Sequence, residues 1–409
     1  MPPLAHLAAI NFFAGDLQGG LGPFLTTWLA QTGYWTPGGI GALSTGVGLA
    51  TLFLNTPAGA LVDHLHRPRL CIAIGCAAII AGTTLILAKA GVWAIVVADF
   101  LAAAGGVLIL PSLTALTLGI VGKDAFPRQQ GRNQSFNHAG VLAAALAITV
   151  GTPWFGPSTS FWVLGGMAAL ALLAGMTTPG GTWDHRRAHG WEDKPVHEHR
   201  REKLLLLLGK QHLLSLALVL ALFNVANGSI FGLLGQRLAA NGYNSIVWTA
   251  VYLIVAEAIM IPVSLWAGSG CQRQGRRHLL LIATATLPVR AVMAAFVTDP
   301  VWLLPTEVLD GIGAGLIGVA VPVVVADVTW GSGRTQTALG AVNTLQGIGG
   351  VSSGIIGGGL VQWLGWTGGF LALAVPASVA FAIALWIEET RPERERRREA
   401  GSEPGRATA

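Results

Sequence analysis

The chain has 409 residues, of which 52% are apolar and only 11% charged. Soluble domains carry about 25% charge, so composition excludes a soluble globular protein and points to a chain that crosses a lipid bilayer many times. The net charge of +5 does not indicate a nucleic-acid binder, because the basic residues gather in turns and at the C-terminus and few lie in apolar stretches.

The N-terminus is too short and too uncharged for a cleavable signal with a basic leader. Apolar segments near the ~20 residues that cross a bilayer are predicted at 8–30, 38–62, 70–90, 92–121, 133–155, 161–178, 212–236, 246–268, 278–298, 301–328, 335–361 and 367–387. An even number of spans puts both termini on one side. The turns on that side hold Arg67, Arg69, Lys123, Arg128, Arg132, Arg273, Arg276, Arg277 and Arg334, and the opposite turns hold little beyond Lys89 and Arg237. By the positive-inside rule both termini are expected in the cytoplasm. The domains read as six-helix bundles at 1–178 and 212–388, a cytoplasmic linker at 179–211 with a possible interfacial helix, and a disordered tail at 389–409. The linker carries His185, His189, His197 and His199, a solvated tract or a metal-sensing one. Cys71, Cys76 and Cys271 have neither a disulfide framework nor zinc spacing.

An ionisable group inside lipid costs several kcal/mol, so it is expected to be paired or to face water. Asp16 lies in the first span. Asn11 and Gln18 fall on one stripe of that helix and Asp16 on another, ~100° round, so the helix cannot face lipid on either. Asp99 lies in the fourth span. Glu257 stands in the apolar middle of the eighth, where it could load and release a proton. Arg290 of the ninth and Asp310 of the tenth lie at depths that differ by about 2 Å and are expected to form a structural ion pair, with Glu307 a competing partner. The fifth and eleventh spans open with amides three residues apart: Gln134, Asn137 and then His138 in one, Asn343 and Gln346 in the other. Amides can bind an uncharged or zwitterionic solute or glue helices together. His138 is a proton carrier, a metal ligand or a packing residue.

Between the second and third spans runs Gly59-Ala-Leu-Val-Asp63-His-Leu-His-Arg67-Pro-Arg69. Gly59 allows close helix approach, and Asp63 can pair with an arginine or with the positive N-terminus of a neighbouring helix. A weaker copy, Gly268-Ser-Gly-Cys-Gln272-Arg273 followed by Arg276 and Arg277, lies downstream. The same offset pairs Trp93 with Trp302, Gly131 with Gly340 and Gly140 with Gly349, so the chain reads as two homologous halves. Asp16 and Glu257 do not repeat, matched by Val225 and Gly48, whereas Asp99 and Asp310 do at a register of 211, each with a proline twelve residues on, Pro111 and Pro322.

A glycine, an aspartate four residues on and a basic cluster between the second and third helices resemble the signature of the major facilitator superfamily. The resemblance implies an all-α integral membrane fold of twelve helices in two pseudo-symmetric halves, working by alternating access with a central cavity lined by the first helix of each half. It implies a secondary transporter and not an enzyme. Asp16 resembles the first-helix acids of its exporters, and the loop of Gly59, Asp63, Arg67 and Arg69, with Arg273, Arg276 and Arg277 in the copy, would brace the closed cytoplasmic side. Two features depart from the family pattern: the fourth span has Asp99 and no arginine, and Gly151-Thr-Pro153 and Gly156-Pro157 do not fit the antiporter spacing of the fifth helix. The expectation is a monomeric, proton-coupled exporter of a small organic molecule in a cell inner membrane, drug-like, metabolite, siderophore-like or cationic, with Asp16, Gln18, Gln134, Asn137, His138, Glu257, Asn343 and Gln346 serving proton and substrate. The alternatives are export of a divalent metal ion and uptake of an organic nutrient. No Gly-x4-Gly-Lys phosphate loop or other sign of a cofactor is present. An intramembrane hydrolase lacks a nucleophile–base pair, and a receptor with a transporter fold would bind ligand without flux.

Overall fold

The computed structural model describes residues 3–18, 21, 25, 28, 29, 35, 37–88, 91–179, 181, 183–191 and 211–391. The expectations placed on Lys89, on the linker histidines 197 and 199 and on the tail beyond 391 lie outside them. The described residues are helical, with no strand. In chain order the helices are α1 (Pro3–Phe13), α2 (Pro37–Leu65), α3 (Pro68–Leu87), α4 (Val92–Phe155), α5 (Thr159–Met176), the short α6 (His185–Ala188), α7 (Gln211–Ala240), α8 (Ser245–Arg273), α9 (Arg276–Phe296), α10 (Leu304–Thr329) and α11 (Thr335–Ala384).

Nine of these, α2–α5 and α7–α11, are long and apolar enough among the described residues to cross a membrane. With 64 and 50 residues, α4 and α11 would be about 95 and 75 Å long if straight, at least twice the ~30 Å hydrocarbon core. Each turns back at a glycine in a conformation other residues avoid: Gly122 (φ 74°) in α4 and Gly365 (φ 71°) in α11. Each therefore contains two of the predicted spans. The polar stretch 123–132, expected as a turn, is helical and carries the second arm of α4 beyond its apolar part.

The first span differs from the single helix expected over 8–30. Helix α1 starts at Pro3, ends at Phe13, and is followed by a 3-10 turn at Gly15–Leu17. This segment packs closely against α4. A side chain on Gly15 would strike the carbonyl of Asn137, one on Gly140 the carbonyl of Phe12, and one on Gly106 the carbonyls of Leu17 and Gln18. Backbone meets backbone there, and the two-stripe reading of an unbroken helix does not hold.

Buried apolar side chains form two main clusters, one mostly from α7–α11 and the other from α1, α3, α4 and α5 with residues of the first segment. The two sets meet at two related crossings. Helix α2 touches α11 where Gly59 lies against the Gln336 carbonyl and Gly340 against that of Asn55. Helix α8 touches α4 where Gly268 lies against the Pro127 carbonyl and Gly131 against that of Ser264. The sequence repeat carries Gly59 to Gly268 and Gly131 to Gly340, so the same crossing is built twice. A methyl group at any of these glycines would force the backbones apart.

Candidate functional site

A cavity of about 310 Å³ lies between the two sets of helices. Its polar wall is six amides: Gln18 after the 3-10 turn, Asn55 of α2, Gln134 of α4, Asn224 of α7, and Asn343 and Gln346 of α11. Leu110, Ile317, Val321, Pro322 and Leu339 supply apolar surface, and among the described residues no ionisable side chain lines it. Gln134 donates to the Gly318 carbonyl at 2.9 Å, tying α4 to α10. Asn55 and Asn224 donate to their own helices, to Thr51 O at 3.1 Å and Leu220 O at 3.0 Å, which fixes each side chain.

Four of these amides were singled out in the sequence. Asn55 and Asn224 were missed, and their signal was an amide in an otherwise apolar helix. Asn137, grouped with the cavity amides from sequence, is placed elsewhere. It is buried against the first segment, its amide 3.5 Å from Asn11 O. The Gly15 contact draws that face of α4 toward the chain start and away from the cavity.

The intramembrane acids stand outside the cavity wall. His138 Nδ1 of α4 lies 2.9 Å from Glu257 Oε2 of α8, and both side chains are about 15% exposed. Asp16, half-buried on the 3-10 turn, lies within electrostatic reach of Glu257. His138 and Glu257, treated separately in the sequence, thus form a pair that spans both halves, with Asp16 in electrostatic reach of it.

Arg290 is almost fully buried, with more partners than the one expected. Its Nη1 donates to Asp310 Oδ1 at 2.8 Å and to Asn227 Oδ1 at 2.5 Å, and its Nη2 lies 3.1 Å from both oxygens of Glu307. Asp99 is also buried.

At the end where α2 crosses α11, the Asp63 carboxylate accepts from Thr337 N and Thr337 Oγ1, each at 2.7 Å, and from Gln336 N at 3.3 Å. Helix α11 has no capping side chain of its own, so Asp63 from the other half meets the free N–H groups and positive pole of its first turn. In the copy, Gln272 donates to Asp124 O at 2.6 Å. The nearby arginines act mainly within their own half. Arg69 donates to Pro179 O. Arg276 Nε donates to Asp327 Oδ2 at 2.9 Å, and the amides of Arg276 and Arg277 donate to Glu389. Arg273 offers its carbonyl to Arg391, and Arg67 is exposed. The disorder expected from residue 389 is thus corrected at its start, because Glu389 caps α9.

The described linker is likewise packed instead of solvated. Trp183 donates to Ala115 O, Trp191 donates to Gly331 O, and the His66 ring stacks on His189. Among the described residues, no three His, Cys, Asp or Glu side chains are grouped to hold a metal ion.

Residues 7–354 and 271–408 match the sequence model of the Major Facilitator Superfamily. The chain is 33% identical over 383 residues to an uncharacterized MFS-type transporter of Mycobacterium tuberculosis, covering 93% of this chain and 91% of that protein. A shorter match, 24% identical over 148 residues, covers 35% of this chain and 24% of a proton myo-inositol cotransporter of Caenorhabditis elegans. Among solved structures, the transporter FucP in its outward conformation superposes with a TM-score of 0.75 at 16% identity, covering 95% of this chain and 99% of that one. The proton:xylose symporter XylE, bound to 6-bromo-6-deoxy-D-glucose, gives 0.73 at 12% identity, with 95% of each chain covered. With the sequence signature, the repeated crossings and these matches in agreement, the chain belongs to the major facilitator superfamily of multi-pass membrane transporters.

Proposed function

We propose that this chain is a proton-coupled secondary transporter of a small, uncharged, polyhydroxylated solute. The observation that carries this reading is the cavity wall: among the described residues, six amides drawn from both halves and no ionisable side chain. An amide donates and accepts at once and suits a hydroxyl, which does the same. A cation would need an acid in the wall, so the cationic substrate suggested by the sequence gives way to a neutral one. The metal-ion alternative finds no ligand group among the described residues. That XylE carries xylose with protons and the Caenorhabditis relative is a proton myo-inositol cotransporter supports the same solute class.

Coupling is assigned to Asp16, His138 and Glu257. A proton reaching Glu257 neutralises the carboxylate that holds His138 and weakens a contact between α4 and α8. Asp16 is the carboxylate beside it. The halves, 1–178 and 212–388, would then rock about the cavity, each monomer carrying a complete site. The arginine distribution supports cytoplasmic termini and, in a bacterium, an inner-membrane location.

Purified protein in liposomes, given a pH gradient of either sign and a panel of pentoses, hexoses, cyclitols, organic cations and metal ions, tests the reading. Concentrative movement of a neutral polyol with a matching proton flux is expected, and the sign of the productive gradient separates uptake from the export suggested by the sequence. Movement of a cation or metal ion, with no polyol moved, would overturn it.

A further inference from the structure

Around Arg290 the charges do not balance. One guanidinium faces two carboxyl groups. Arg290 is 1% exposed, Glu307 0% and Asp310 12%. If both acids were ionised, the cluster would hold an uncompensated negative charge in a part of the protein surrounded by lipid-facing helices, which is costly. Among the described residues, no second cation bonds to either carboxyl group. Asn227 of α7 is neutral. Tyr252 of α8, within electrostatic reach of Glu307, donates its hydroxyl to Pro300 O at 2.9 Å. Asp299, near Tyr252, adds a further negative charge. Arg237 of α7 donates to Ala294 O and lies over the Phe370 ring.

Burial says which acid is neutral. Glu307 is 0% exposed and Asp310 12%, so a charge on Glu307 would be the costlier of the two to hold away from water. Asp310 keeps its ion pair with Arg290 at 2.8 Å, while Glu307 lies 3.1 Å from Arg290 Nη2 through both oxygens.

We infer that the Glu307 carboxyl is a second proton-binding site, occupied in this conformation and held beside the Arg290–Asp310 ion pair, separate from the Asp16–His138–Glu257 group. The bound proton balances one guanidinium against one carboxylate. A movement of α9 against α10 that drew Arg290 from Asp310 toward Glu307 would favour transfer of that proton to Asp310, the more exposed of the two acids. The role in transport rests on the proton-coupled reading above; the protonation itself does not.

The test is infrared spectroscopy of the full-length protein at neutral pH. The difference between wild type and Glu307→Gln should show loss of one protonated-carboxyl band, and isotopically labelled glutamate should shift that band. Asp310→Asn should also lose it, because Glu307 must then ionise to balance Arg290; this variant serves if Glu307→Gln does not fold. In liposomes, Glu307→Gln should move one proton fewer per solute. A band unchanged in either variant, or one unmoved by labelled glutamate, overturns the assignment. A transporter that moves no protons at all would still show the band, so failure of the coupling reading is told apart from failure of this one.

Discussion

Asp63→Asn probes what holds the two halves together at the α2–α11 crossing. The carboxylate is 4% exposed and receives three bonds from residues 336 and 337. Hydrogen bonds to a charged group contribute about 1.5–3 kcal/mol, and loss of an N-cap costs about 1 kcal/mol. Asparagine keeps one acceptor but turns an N–H₂ toward backbone donors, so at least one bond and the charge are lost. The contact joins different halves and exists only while this end is closed, so the whole loss falls on the equilibrium between conformations. A loss of about 1.5–3 kcal/mol shifts it roughly ten- to a hundredfold toward opening at this end. Spin labels at Arg67 and Arg273, both exposed and in opposite halves, report their separation by pulsed electron resonance. The native cysteines, Cys71, Cys76 and Cys271, are buried and leave the introduced sites to react. The population at long separation should rise in Asp63→Asn. A distance distribution identical to that of the parent protein would show that the cap on α11 does not hold this end closed.

Asp16→Asn should leave folded yield unchanged and abolish or uncouple transport; normal proton-driven flux in liposomes would remove Asp16 from the mechanism. Arg290→Met should strand a buried carboxylate, at a cost of about 3–5 kcal/mol, and sharply lower folded yield by size-exclusion chromatography. Arg290→Met with Asp310→Met should recover part of that yield, and a double variant no better than the single would show that the two charges do not depend on each other. Asn224→Leu and Gln346→Leu should each weaken binding of the neutral solute about tenfold, the worth of one buried hydrogen bond at ~1.4 kcal/mol; calorimetric affinities equal to the parent's would take these amides out of the binding wall. Gly140→Ala places a methyl against the Phe12 carbonyl and should lower stability by about 1–3 kcal/mol, read as a fall in Tm in detergent.

The membrane class and the duplicated architecture were legible in the sequence alone. Helices in lipid must satisfy their own backbone, so hydropathy reports spans directly, and close crossings need glycine, so Gly59, Gly131, Gly268 and Gly340 stand out at one offset. The candidate partners of Arg290 were legible too, because the rise per residue sets the depth of each charge. Rotation about the helix axis was a different matter. Whether an amide looks into the cavity depends on how its helix is turned against its neighbours, which is why Asn55 and Asn224 line the wall while Asn137 lies buried against Asn11. The joining of Asp16, His138 and Glu257 was also decided only by tertiary structure. It requires a turn at Gly15–Leu17 packed against α4, and a crossing of α4 with α8 that residues more than a hundred positions apart make together. Asp63 could be expected to cap some helix. That the helix is α11 depends on which half's first turn arrives there without a cap of its own.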